Sequence, residues 1–157
     1  MKLTELDHLP VGLLELPATE LHEALGNPTL IHLQGQNPQP LFVTVLQHGN
    51  ETTGWDAVRR LLKSHYEFDP LPRSLSILIG NTKAAKHRLR RLDDQLDYNR
   101  CWPGGNFEDS DIGKMFQQVT DRMRSLSPIA SLDFHNNTGL NPHYACLLYT
   151  SDAADDL

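Results

Sequence analysis

Two cysteines in 157 residues leave no room for a disulfide framework, and a reducing, cytoplasmic compartment is the expected setting. Positive charge is also scarce. Fourteen Lys and Arg against 20 Asp and Glu give a formal net charge of −6. No face-sized excess of cations exists to neutralise phosphates, so a nucleic-acid surface is excluded. Long apolar runs are missing too: none approaches membrane-spanning length, and Met1-Lys2-Leu3-Thr4-Glu5-Leu6-Asp7-His8 lacks the apolar centre of a signal peptide. What is present is ordinary for a one-domain globular chain, with 39% hydrophobic and 22% charged residues.

Against that background one stretch stands out, Leu41-Phe42-Val43-Thr44-Val45-Leu46-Gln47-His48-Gly49-Asn50-Glu51. Six apolar or β-branched residues between Pro40 and Gly49 read as a strand buried on both faces. Thr52, Thr53, Trp55, Val58, Leu61 and Leu62 then read as an amphipathic helix. His48 and Glu51 therefore fall at the carboxyl end of a central strand, where open α/β sheets place their ligands. Imidazole and carboxylate both suit zinc. A third ligand comes from Ile129-Ala130-Ser131-Leu132-Asp133-Phe134-His135, another short apolar run ending in His. If the two runs are neighbouring parallel strands, His48, Glu51 and His135 converge. Two His and one Glu form the ligand set of a catalytic rather than a structural zinc site. Asp133 is either the carboxylate that orients His135 or a plain polar residue at a strand end.

Elsewhere, Ala18 to Leu25 predicts a short helix stopped by Gly26-Asn27-Pro28. Leu30–Leu33 predicts a strand, and Gly35 to Pro40 reads as turn material, so this strand and the Leu41 run suggest a hairpin. Asp69-Pro70-Leu71-Pro72 breaks the helix before a strand at Leu75–Ile79, completing a βαβ unit. Asp111 to Leu126 carries a helical stripe of Ile112, Met115, Phe116, Val119, Met123 and Leu126, ended by Ser127-Pro128. Residues 82–100 are basic, with Lys83, Lys86, Arg88, Arg90, Arg91 and Arg100. They are either a solvated helix face or an anion clamp, and Asn99-Arg100 is the part best placed for a ligand. His8, His22, His32, His65, His87 and His143 have no partner motif and read as surface or packing residues.

His48-Gly49-Asn50-Glu51, Gly80-Asn81 with Ala84, Arg91 through Asp97-Tyr98-Asn99-Arg100, and Asp133-Phe134-His135-Asn136 occur in this order. Together they resemble the succinylglutamate desuccinylase/aspartoacylase branch of the zinc carboxypeptidase-like (M14) family, over about Leu41 to Tyr144. The resemblance implies an α/β fold, a mostly parallel or mixed sheet with helices on both faces. It implies one Zn2+ per chain on His48, Glu51 and His135, and a small anionic N-acyl amino acid gripped by Asn99, Arg100 and Asn136. An upstream Arg would polarise the scissile carbonyl. Arg91 is most similar, at a spacing one residue longer than usual, and Arg90 is the alternative. Tyr98 stands where the family usually has Leu or Met. The implied reaction is metal-assisted amide hydrolysis.

The family's general-base Glu lies well beyond the third ligand, and the only acids after His135 here are Asp152, Asp155 and Asp156. Residues 146–157 resemble a translated sequencing adapter, although their composition also permits a genuine polar end. The expected division is a partial deacylase domain over 1–145 and an artefactual tail over 146–157, with the fold incomplete at its C-terminus. Two rival readings are a zinc carboxypeptidase acting on peptides or cell-wall fragments and a non-catalytic binding domain. The acyl group, the amine half and the oligomeric state are not readable from the sequence.

Overall fold

The computed structural model describes residues 2–66 and 69–136. The expected tail at 146–157 lies outside the described residues. Five strands form one mixed sheet in the order β1-β2-β4-β3-β5, from β1 (Thr4–Leu6), β2 (Thr29–Leu33), β3 (Gly35–Val45), β4 (Leu71–Ile79) and β5 (Ala130–Asp133). The α-helices among the described residues are α1 (Leu21–Leu25), α2 (Thr53–Tyr66), α3 (Thr82–Lys86) and α4 (Asp111–Leu126).

Alternation along the central strands sorts side chains onto two faces. Val43, Val45, Ile77, Ile79 and Ile31 pack with Trp55, Val58 and Leu62 of α2. Phe42, Leu78 and Leu30 face the other way and pack with Ile112, Met115, Phe116 and Val119 of α4. Helices thus cover both faces of a mixed α/β sheet. The Trp55 indole N–H donates to the Leu16 carbonyl at 2.9 Å, which ties the N-terminal segment onto α2.

The βαβ unit forms as expected: β3 and β4 are parallel neighbours with Val43 opposite Ile77 and Val45 opposite Ile79. Helix α4 has the bounds its apolar stripe predicts. Ser110 caps it by accepting from the Gly113 N–H at 3.0 Å, and Ser127 ends it with φ 46°.

Three local expectations are corrected. The hairpin between β2 and β3 does not form, because β4 is inserted between its arms. β2 pairs antiparallel with β4, Leu30 opposite Leu78 and Ile31 opposite Ile77. The run Leu75 to Ile79 is buried throughout, and a strand apolar on both faces belongs between two others. Gly35 to Pro40 is not a turn but the first half of β3, exposed from Gln36 to Gln39 and buried at Pro40. A register shift between Asn37 and Leu41 accommodates Pro38 and Pro40, which have no N–H for the ladder. The basic stretch is not one helix either. Only Thr82–Lys86 is helical before a looping segment in which Arg88 adopts φ 57°.

Phe116 is fully buried between the sheet and the ring of Trp102, whose centroid lies 4.3 Å away. Phe116→Ala is expected to lower unfolding free energy by about 3–5 kcal/mol in urea titration. A loss under about 1 kcal/mol would contradict this packing of α4.

Candidate metal centre

β3 and β5 are parallel neighbours, with Thr44 opposite Asp133. Each therefore delivers its next residues to the same end of the sheet. After Val45, Leu46 turns through φ 58° and the chain passes buried Gln47 and His48 to Glu51. Gly49 makes this path possible. A Cβ there would lie 2.2 Å from the backbone nitrogen of Ala85, while its N–H donates to the Arg90 carbonyl at 3.0 Å. Opposite, Phe134 packs against Gly54 of α2, where an added Cβ would come within 2.6 Å of the Phe134 Cβ. That contact seats the residue next to His135.

The structure brings His48, Glu51 and His135 together. Each offers one ligand atom, and these atoms all lie within 4.8 Å of one another. His48 Nδ1 is 2.8 Å from Glu51 Oε1, and His135 Nδ1 is 2.7 Å from Glu51 Oε2. The two rings are 5.2 Å apart between centroids. His48 and Glu51 are buried, whereas the His135 side chain is 32% exposed, so the cluster opens on one side. Two imidazoles and a carboxylate, converging from one wall and open on the other, form a set that fits a divalent metal ion.

Each imidazole has an aspartate behind it. Asp133 lies 2.8 Å from His135 Nε2 and also accepts from the Thr44 hydroxyl. Asp97 Oδ1 lies 2.9 Å from His48 Nε2. Both contacts hold Nε2 away from the cluster and leave Nδ1 aimed into it. Burial pushes the Glu51 carboxyl up, but hydrogen bonds from His135 and His48 overcome this and hold it at about 2. The bond to Asp133, then that to Glu51, raise the His135 imidazole to about 10 against the effect of burial. For Asp97 burial is again outweighed, by the His48 bond and the charges of His48 and Arg90, and the carboxyl is lowered. A centre that keeps its carboxylates ionised is suited to a cation.

Of the two arginines, Arg90 is the one at the cluster. Its guanidinium is half exposed and reaches Glu51 Oε1 at 3.5 Å and Asp97 Oδ2 at 3.2 Å. Arg91 Nη1 instead donates to its own loop, to the Gln95 carbonyl at 3.0 Å and the Leu92 carbonyl at 3.5 Å. Asn81 supports that loop, capping α3 through the Ala84 N–H and donating to Gln95 Oε1 at 3.0 Å.

Asn99 and Arg100 lie on a 3-10 turn, Tyr98–Arg100, whose first N–H groups Asp97 caps at 3.0 Å through Asn99. Tyr98 is buried and meets Phe116 edge-on at 5.8 Å, anchoring the turn to α4. The backbone N–H of Asn136 donates to Glu51 Oε2 at 3.3 Å, and its side-chain Oδ1 is buried without a partner among the described residues. Asp97 was not singled out by sequence reasoning. A signal was available: a metal-binding imidazole is often oriented by a carboxylate, and Asp97 stands just before Asn99-Arg100, yet only Asp133 was matched to such a role.

The family model of the succinylglutamate desuccinylase/aspartoacylase catalytic domain matches residues 39–155. No curated protein and no solved structure matches the chain significantly. Gly54→Ala tests the seating of His135. Ala favours helices over Gly by about 1 kcal/mol, yet the 2.6 Å approach to Phe134 should make this variant less stable and weaken divalent-metal uptake. A variant as stable as its parent, with unchanged metal affinity in calorimetry, would refute the contact.

Proposed function

Since the chain belongs to the succinylglutamate desuccinylase/aspartoacylase family, we propose that His48, Glu51 and His135 hold one zinc ion in a hydrolase that cleaves the amide bond of an N-acyl amino acid. The observation that carries the reading is the convergence of these three side chains from two parallel strands, each imidazole backed by an aspartate. Bound there, zinc would supply a Lewis-acid charge that acidifies water and polarises a carbonyl.

The chain's own residues supply the rest. Arg90, half exposed at the rim, places a fixed positive charge where a carbonyl oxygen gains negative charge. Asn99 and Arg100, on the turn that Asp97 caps, offer an amide and a guanidinium for the carboxylates of a small anionic substrate. Asn136, whose backbone N–H donates to Glu51, adds a polar side chain next to the cluster. Cys101 is a free, buried thiol, in keeping with a cytoplasmic setting.

Among the described residues, the carboxylates at the cluster leave none over to act as a general base. Glu51, Asp97 and Asp133 are each engaged by an imidazole. The acids that follow His135 in the sequence, Asp152, Asp155 and Asp156, lie outside the described residues. With these carboxylates engaged, we expect the chain to bind zinc but to hydrolyse little.

Metal analysis of the purified chain should give about one zinc per molecule, removed by chelation and absent from His48→Ala. Folded protein that takes up no zinc would rule the reading out. N-acetyl-L-aspartate and N-succinyl-L-glutamate should be hydrolysed only slowly by the zinc-loaded chain. Rapid turnover would show that a base is available after all, and cleavage of peptides instead would favour a carboxypeptidase.

A further inference from the structure

Asp97 touches more of the site than any assigned ligand requires. Its Oδ1 lies 2.9 Å from His48 Nε2 and accepts the Asn99 N–H at 3.0 Å. Its Oδ2 accepts from Arg90 at 3.2 Å, and the same guanidinium reaches Glu51 at 3.5 Å. One carboxylate is thus shared by an imidazole of the metal cluster, the first N–H of the Asn99-Arg100 turn and the rim arginine. Beyond it the turn is pinned by buried Tyr98 and by the Cys101 thiol, which donates to the Asp97 carbonyl at 3.1 Å.

We propose that Asp97 is a positioning residue that couples the metal centre to the substrate turn, so that cation and anionic substrate each tighten the other's binding. The inference rests on the function proposed above and adds to it an energetic link between two subsites. The physical reason lies in sharing. A cation drawing on His48 Nδ1 makes the Nε2 proton a stronger donor, which holds the Asp97 carboxylate more firmly in the rotamer that caps Asn99. An anion ordering Asn99 and Arg100 holds the same rotamer from the other side, and binding linkage is reciprocal. An asparagine cannot replace it. One amide oxygen could still cap Asn99 or accept from His48, but the amide nitrogen would face the Arg90 guanidinium as a second donor.

The test is calorimetric titration of N-acetyl-L-aspartate into the zinc-free and the zinc-loaded chain, for the wild type and for Asp97→Asn. Wild type should bind the probe at least about fivefold more tightly when loaded, the lower end of typical couplings. Asp97→Asn should take up zinc about 10- to 100-fold more weakly and, at saturating zinc, show a loaded-to-free affinity ratio well below that of wild type. Asp94→Asn, on the exposed part of the same loop, should keep the wild-type ratio. Thermal melts establish that Asp97→Asn is folded; if it is not, Asp97→Ser, which can still cap Asn99, takes its place. Equal probe affinity with and without zinc in wild type overturns the proposal, as does a wild-type ratio retained in Asp97→Asn. Failure of wild type to take up zinc removes the underlying reading as well, whereas zinc uptake without coupling removes this inference alone.

Discussion

A carboxylate enclosed at the end of a sheet is the constraint around which this molecule is arranged. Glu51 is only 6% exposed, and a buried charge without partners would cost several kcal/mol. It is stabilised because each of its oxygens meets an imidazole, one following β3 and the other following β5. That arrangement exists only while the two strands run parallel and adjacent, Leu41 opposite Ala130 through Thr44 opposite Asp133. The close backbone approaches at Gly49 and Gly54 serve the same end, letting α3 and Phe134 press against the loops that carry the ligands.

Around Glu51 the site has an internal symmetry that neither strand encodes alone. Both imidazoles present Nδ1 to the same carboxylate and Nε2 to an aspartate, Asp97 for His48 and Asp133 for His135. The tautomer and ring orientation of each are thereby set from outside the cluster. The environments differ, however. Asp133 is anchored to its own sheet by Thr44, whereas Asp97 belongs to a loop shared with Arg90 and the Asn99 turn. One half of the centre is therefore held by the sheet, and the other by the loop that carries Arg90 and the Asn99 turn.

Much of the fold was legible because its signals are local. The apolar run at Leu41–Leu46, the stripe of α4, and the turn residues around Asp69-Pro70 each act over a few residues. Strand order was not legible in this way. The sequence places β2 and β3 one residue apart, and only the demand of Leu75 to Ile79 for burial on both faces inserts β4 between them. The prolines of Gly35–Pro40 read as a turn because a register shift that tolerates them is a property of the paired strand.

By itself the sequence determined the chemistry available: His48, Glu51 and His135 at the ends of apolar runs, an acidic surface, and an Asn99-Arg100 pair in a loop. Residue type and local periodicity suffice for that, since ligand chemistry and strand endings are written within a dozen residues. Only the tertiary structure decided which carboxylate stands behind His48 and which of two adjacent arginines faces the cluster. Arg90 and Arg91 are chemically identical, and a single step along a looping backbone sends one guanidinium to Glu51 and the other to the Gln95 carbonyl. Such choices depend on where distant segments pack, and no spacing along the chain contains them.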